Sequence, residues 1–243
     1  MSKPRAFSFA AICGGFLLLF AVLKARPKST PATFISYTAD LHHTHLKLYW
    51  QDEHLHRFGS LASLQHWLAA RGQPLLFAMN GGMFTPRYTP QGLFIEHQTT
   101  VAPLDTASGA GNFYLKPNGV FYTTTANTAH ICPTTDFRND GQVAYATQSG
   151  PLLVIDGRIH PAFQPGSTNR QIRNGLGILP DNRVLLAMSK TPINFYDFAD
   201  YFRRAGCRDA LYLDGFVSRT YAPTMGWTQT DGDFGVIIGI TRR

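Results

Sequence analysis

The sequence predicts an α+β fold: a single domain with extensive mixed, largely antiparallel sheet and a few packed helices, preceded by an N-terminal membrane segment. Three observations carry this expectation. Short alternating or fully apolar runs recur along the chain, separated by Gly, Pro, Asn and Asp turns. Helical spacing between recognisable caps occurs in only two stretches, after Ser60 and after Asn194. Strands and helices do not alternate, as a parallel sheet would need.

Taken from the start, Lys3 and Arg5 precede an uncharged run, Ala6 to Leu23. At 1.5 Å per residue that run approaches the thickness of a bilayer. A cleaved signal peptide would show small residues before the cut, and Leu23-Lys24-Ala25 is a poor match. Cys13 follows Ile12 and so lacks a lipobox. Residues 1–26 are therefore read as a signal anchor in preference to a signal peptide, 27–32 as a linker and 33–243 as the domain. The domain is expected on the periplasmic or extracellular face, tethered to the inner membrane or secreted. Lys24, Arg26 and Lys28 follow the segment, so the charge rule for orientation is nearly balanced.

The formal charge is +7. Part of the excess flanks the anchor or lies in Arg242-Arg243, and after the linker lysine occurs only at Lys47, Lys116 and Lys190. No dense basic run exists, which argues against nucleic acid as a partner and fits an anionic envelope, an acidic substrate or simple solubility. Cys132 and Cys207 permit one bridge or two buried thiols, and an exporting compartment favours the bridge.

Thr33–Asp40, His45–Trp50 and His54–Phe58 are predicted strands, the last two joined by a Gln51–Glu53 turn. Ser60 caps a helix with Leu61, Leu64, Trp67 and Leu68 on its apolar side, closed by Arg71-Gly72. Leu75 to Met79 then reads as a strand buried on both faces. It runs into Asn80, Gly81 and Gly82, a pair of glycines expected to turn with φ > 0 and to offer backbone N–H groups to an anion.

Further strands are predicted at Leu93–Glu96, Asn112–Leu115, Gly119–Thr123, Ala129–Cys132, Val143–Thr147 and Leu152–Ile155. Lys116–Gly119 and Asp156-Gly157 are hairpin turns between them. Gly175–Leu179 and Arg183–Ser189 form another hairpin. Asn194 caps a second helix carrying Phe195, Phe198, Ala199 and Phe202 on one face. Ala210–Leu213 and Phe234–Ile240 complete the strands.

Four polar glycine turns stand beside buried runs: Asn80-Gly-Gly82, Gln148-Ser149-Gly150, Arg173-Asn174-Gly175 and Asp214-Gly215 with Ser218. Each alone is an ordinary turn. Together they supply an amide, hydroxyls, an arginine and an acid at strand ends, the groups a phosphate-ester site needs. Glu96, beyond the Gln91-Gly92 turn, is a candidate second carboxylate or a solvated strand end. The histidines at 42, 43, 45, 54 and 56 are offset along a hairpin, and Asp231-Gly-Asp233 reads as a turn. Neither a metal nor a cofactor is predicted.

Asn80-Gly-Gly-Met-Phe84, Ser149-Gly-Pro-Leu152 with Asp156-Gly157, the Arg173–Gly177 turn, and Leu213-Asp-Gly215 with Ser218 occur in that order. They resemble the phosphodiester glycosidase family, over about Leu75 to Ile240. The resemblance is nearest to bacterial envelope members that share Asn194-Phe-Tyr-Asp197 and Ala210-Leu-Tyr-Leu-Asp-Gly215. Phe216-Val217 departs from the glycine run that family members carry there. The resemblance implies a hydrolase of a glycosyl phosphodiester in the envelope. Asp214 or Glu96 would direct water or attack the anomeric carbon, and Arg173 with Asn80, Gly81 and Gly82 would hold the phosphate. Ser149, Gly150 and Ser218 would orient the substrate. The alternative is a non-catalytic envelope protein that binds a phosphorylated glycan in the same pocket.

Overall fold

The computed structural model describes residues 33–243 and the first two residues of the chain; the expected anchor Ala6–Leu23 and the linker lie outside the described residues. In chain order the elements begin β1 (Phe34–Ala39), β2 (Thr44–Tyr49), α1 (Leu61–Ala69), β3 (Leu75–Gly82), β4 (Phe94–Glu96) and β5 (Thr99–Ala102). The middle of the chain is β6 (Gly119–Thr124), β7 (Ala129–Pro133), β8 (Val143–Ser149), β9 (Leu152–Ile155) and β10 (Arg158–Ile159). There follow β11 (Asn174–Ile178), β12 (Val184–Ser189), α2 (Phe195–Arg204), β13 (Asp209–Tyr212), β14 (Thr220–Ala222), β15 (Trp227–Thr228) and β16 (Val236–Arg242).

The strands make three sheets, ordered β1-β12-β11-β13-β9-β10, β15-β14-β3-β16-β2 and β5-β4-β8-β6-β7. Every strand pairing among the described residues is antiparallel, so the expected parallel component of a mixed sheet is not found. The inner faces of all three sheets share one core, with Leu176 and Leu211 from the first, Phe77 and Ile238 from the second, and Phe94 and Phe121 from the third. Alternation then sends Ala210 and Tyr212 to the outer face of the first sheet, under α2, with Phe198 and Phe202. Ile237 and Ala78 face α1 on the outside of the second sheet.

Both helices start where a side chain can replace the missing turn. Ser60 accepts from the N–H of Ser63, and Asn194 from that of Asp197. Each cap contributes about 1 kcal/mol. Leu61, Leu64 and Leu68 fall on the buried face of α1, each such side chain adding roughly 1.5–3 kcal/mol when removed from water.

Three expectations are corrected. His54–Phe58 is not a strand: Asp52 Oδ1 takes the N–H groups of His54 and His56 at 2.9 and 2.8 Å, and one bridge, Gln51 to Arg57, is all that remains of the pairing. Asn112–Leu115 is a 3-10 turn, because the Asn118 side chain donates to Phe113 O at 2.9 Å and β6 has β7 and β8 as its two neighbours. Lys116–Gly119 therefore joins no hairpin.

Cys132 and Cys207 are free thiols, not a bridge. Cys207 lies in the core beneath α2, whereas Cys132 follows inward-facing Ile131 on β7 and so packs on the outer face of the third sheet. Sheet layers separate the two side chains. Burial pushes the Cys132 thiol up to about 11 and that of Cys207 to about 12, so both stay protonated near neutral pH.

Candidate active site

The ends of β3, β8 and β13 and the starts of β11 and β14 converge where the three sheets meet. Asn80 is the junction. It is fully buried, its Nδ2 donates to Asp214 O at 2.7 Å, and its Oδ1 accepts from the backbone N–H of Arg219 at 3.1 Å. Asn174, also fully buried, donates through Nδ2 to both O and Oδ1 of Asn80, each at 2.9 Å, and accepts the Asp214 N–H at 2.9 Å. Two carboxamides thus tie the first sheet to the second and hold Asp214, two residues beyond β13, at both of its peptide groups. Ser149, at the end of β8, donates to Leu213 O at 2.8 Å and brings in the third sheet.

The Asp214 side chain itself is left free of these bonds. It forms no ion pair among the described residues, and burial pushes its carboxyl up to about 6, opposed by a hydrogen bond from the Phe216 N–H. A carboxyl with that value is mostly ionised at neutral pH and still basic enough to accept a proton or attack carbon. The following turn is closed by Ser218 N–H to Gly215 O at 3.2 Å and by Ser218 Oγ to Asp214 O at 3.2 Å. Gly215 is required here. Its N–H donates to the Tyr212 hydroxyl at 2.6 Å, and a Cβ would lie 2.3 Å from that oxygen and 2.5 Å from Ile172 O.

Gly81 and Gly82 do not form the anion-binding turn that the sequence suggests. They are the last residues of β3, and neither adopts a positive φ. Val236 pairs with Gly82 and Ile237 with Asn80, so Gly81 is the extra residue of a bulge. A Cβ on Gly81 would meet the Ile238 N–H at 2.9 Å, and one on Gly82 would meet Thr147 Oγ1 at 2.6 Å. These glycines let β16 and β8 press against β3 and thereby fix Asn80.

Arg173 also differs from expectation. Its side chain does cover apolar surface, with the guanidinium 3.6 Å from the centre of the Phe195 ring, and the residue is only 1% exposed. Nε donates to Ile193 O at 2.9 Å and Nη2 to Asn169 O at 3.0 Å. The arginine has no carboxylate partner among the described residues. Burial lowers its pKa, opposed by the neighbouring Tyr212 hydroxyl. Arg173 thus lies behind Tyr212, which in turn holds Gly215.

Glu96 is elsewhere. Register opposes Ile95 to Ala146 on β8, so Glu96 lies near Tyr145, four residues and about 13 Å of strand from Ser149. Burial pushes its carboxyl up to about 7, and Lys47 opposes the shift. Its surroundings include Tyr49 and Tyr145 and none of the junction residues.

Sequence reasoning named the Asn174 turn but gave that carboxamide no role, and it missed Tyr212 and Arg219. Arg219 carries a cation that solvent reaches: its side chain is 37% exposed, and its Nε donates to Asp231 at 2.9 Å. Its place after Asp214-Gly215 and Ser218 was a usable signal.

A family model for phosphodiester glycosidases matches residues 74–236, and the chain belongs to that family. Over 190 residues it is 36% identical to the uncharacterised Escherichia coli protein YigE, covering 78% of this chain and 74% of the relative. The fold is similar to the zebrafish N-acetylglucosamine-1-phosphodiester alpha-N-acetylglucosaminidase catalytic domain, auto-inhibited by its pro-peptide. That likeness has a TM-score of 0.57 and 13% identity, over 89% of this chain and 86% of the other. A hypothetical protein from Synechocystis is similar with a TM-score of 0.54 and 13% identity, over 86% of this chain and 59% of the other.

Proposed function

We propose that this protein hydrolyses a glycosyl phosphodiester, with Asp214 addressing the anomeric carbon. The observation that carries the reading is the junction itself. Buried Asn80 and Asn174 grip both peptide groups of Asp214, while its carboxylate stays unpaired and poised near pH 6.

Cleavage of the anomeric C–O bond sends the bonding electrons to a phosphate oxygen and leaves positive charge on the sugar carbon. The anionic Asp214 stabilises that charge, either by attacking the carbon or by taking a proton from the incoming water. Because the departing phosphomonoester has a second pKa of about 6, its oxygen leaves without a general acid. One carboxylate therefore suffices, in keeping with the distance of Glu96 from the junction. Arg219 is the cation for the phosphate, since it is accessible and its backbone is fixed by Asn80. Arg173 acts from behind, holding Tyr212 and so the Gly215 peptide. The setting is the cell envelope, with an anionic glycan or lipid-linked sugar phosphate as substrate class.

The test is a screen of the full chain against sugar-1-phosphodiesters, reading released phosphomonoester. Turnover of at least one diester supports the reading. Binding without turnover supports a glycan-binding protein instead.

A further inference from the structure

Phe216 is the only Phe, Tyr or Trp among the described residues that stands exposed, and it is 94% exposed. It occupies the turn Gly215–Ser218, whose closing hydrogen bond runs from Ser218 N–H to Gly215 O at 3.2 Å. The two central residues of that turn are treated oppositely. Val217 packs against the apolar cluster beneath α1, while the larger Phe216 ring stands in water. Burying the phenylalanine would remove more apolar surface than burying the valine. The turn forgoes that gain and leaves the ring in water, two residues beyond Asp214.

The turn is tied down on several sides. The Gly215 N–H donates to the Tyr212 hydroxyl, Ser218 Oγ to Asp214 O, and the Ser218 N–H to Gly215 O. Phe216 therefore stands two residues beyond Asp214, in a turn fixed on both sides.

We infer that Phe216 is the platform on which the substrate's sugar ring stacks, its flat face against the C–H face of the pyranose. This rests on the hydrolase reading above and names the residue that orients the sugar over Asp214. A sugar is amphipathic: its hydroxyls need water or hydrogen bonds, while its axial hydrogens make an apolar patch suited to an aromatic face. An aliphatic side chain of similar size lacks that flat surface.

The experiment measures kcat and KM of the full chain on the methyl phosphodiesters of N-acetylglucosamine 1-phosphate and glucose 1-phosphate. The parent is compared with Phe216→Ala, Phe216→Leu and Phe216→Trp. For the better diester, Phe216→Ala is expected to lower kcat/KM about tenfold, mainly through KM. Phe216→Trp should stay within about threefold of the parent and Phe216→Leu should fall close to the alanine variant. Melting temperatures should agree across the set, since the side chain is exposed. An alanine variant within twofold of the parent, or a leucine variant equal to it, overturns the platform and leaves the hydrolase reading standing. A parent that neither binds nor turns over either diester overturns both.

Discussion

Asn174 donates to the backbone oxygen and the side-chain oxygen of Asn80 at the same distance, 2.9 Å. One carboxamide thereby satisfies two buried acceptors, and its remaining oxygen receives the Asp214 N–H. Asn174→Ala would take this bond from all three groups, and Asn80 Oδ1 would keep only the Arg219 N–H. The expected cost is about 2–4 kcal/mol of stability, seen as a lower denaturation midpoint. Activity per folded molecule should fall as well, because Asp214 loses one of its two peptide anchors. A variant with parental stability would contradict the role of the junction.

Asp214 links stability to pH. Its folded pKa, about 6, lies above the ordinary aspartate value of 3.8, so ionisation disfavours the native state. Well below pH 3.8 the carboxyl is protonated in both states and has no effect on stability. As pH rises through 6 the native state loses at most about 3 kcal/mol. Asp214→Asn should therefore match the parent at low pH and be the more stable protein at neutral pH. Urea titrations at pH 4 and pH 7.5 would show it, and equal differences at both would contradict the shift.

Arg173 is expected to matter first for folding. Arg173→Ala removes hydrogen bonds to Ile193 O and Asn169 O and the stacking on Phe195. That loss should cost about 2–4 kcal/mol. Arg173→Lys keeps the charge and loses the fork, so it should fall between the two. Melting temperature and kcat measured together separate the roles. Parental stability with lost turnover would return Arg173 to direct phosphate contact.

Glu96→Gln should leave kcat/KM within about twofold of the parent. It should also raise stability above pH 7, where the buried carboxyl would otherwise ionise in the native state. A loss of turnover greater than about tenfold would bring Glu96 back into the chemistry.

Local signals made much of this fold legible. Ser60 and Asn194 mark both helix starts with side chains that cap, and Leu75–Met79 reads as a buried strand because a strand with core on both faces must be apolar. What misled were groups whose partners are remote or compete locally. Asp52 captured amides that a strand would have used, and Asn118 took the Phe113 carbonyl across the turn. At the site, motif order singled out Asp214 and Asn80. Spacing could not reveal that Asn80 and Asn174, 94 positions apart, share hydrogen bonds. Nor could it show that Gly81 and Gly82 serve close strand packing, or that Arg173 meets Phe195 through the fold.

The central claim is that Asp214 directs cleavage to the sugar side of the phosphodiester. It is tested most directly by running the reaction in water enriched in oxygen-18 and locating the label by mass spectrometry. The account predicts label in the sugar hydroxyl and none in the phosphomonoester, with Asp214→Asn slowing the reaction on the order of 10²–10⁴-fold. Label in the phosphate would mean attack at phosphorus and would contradict it.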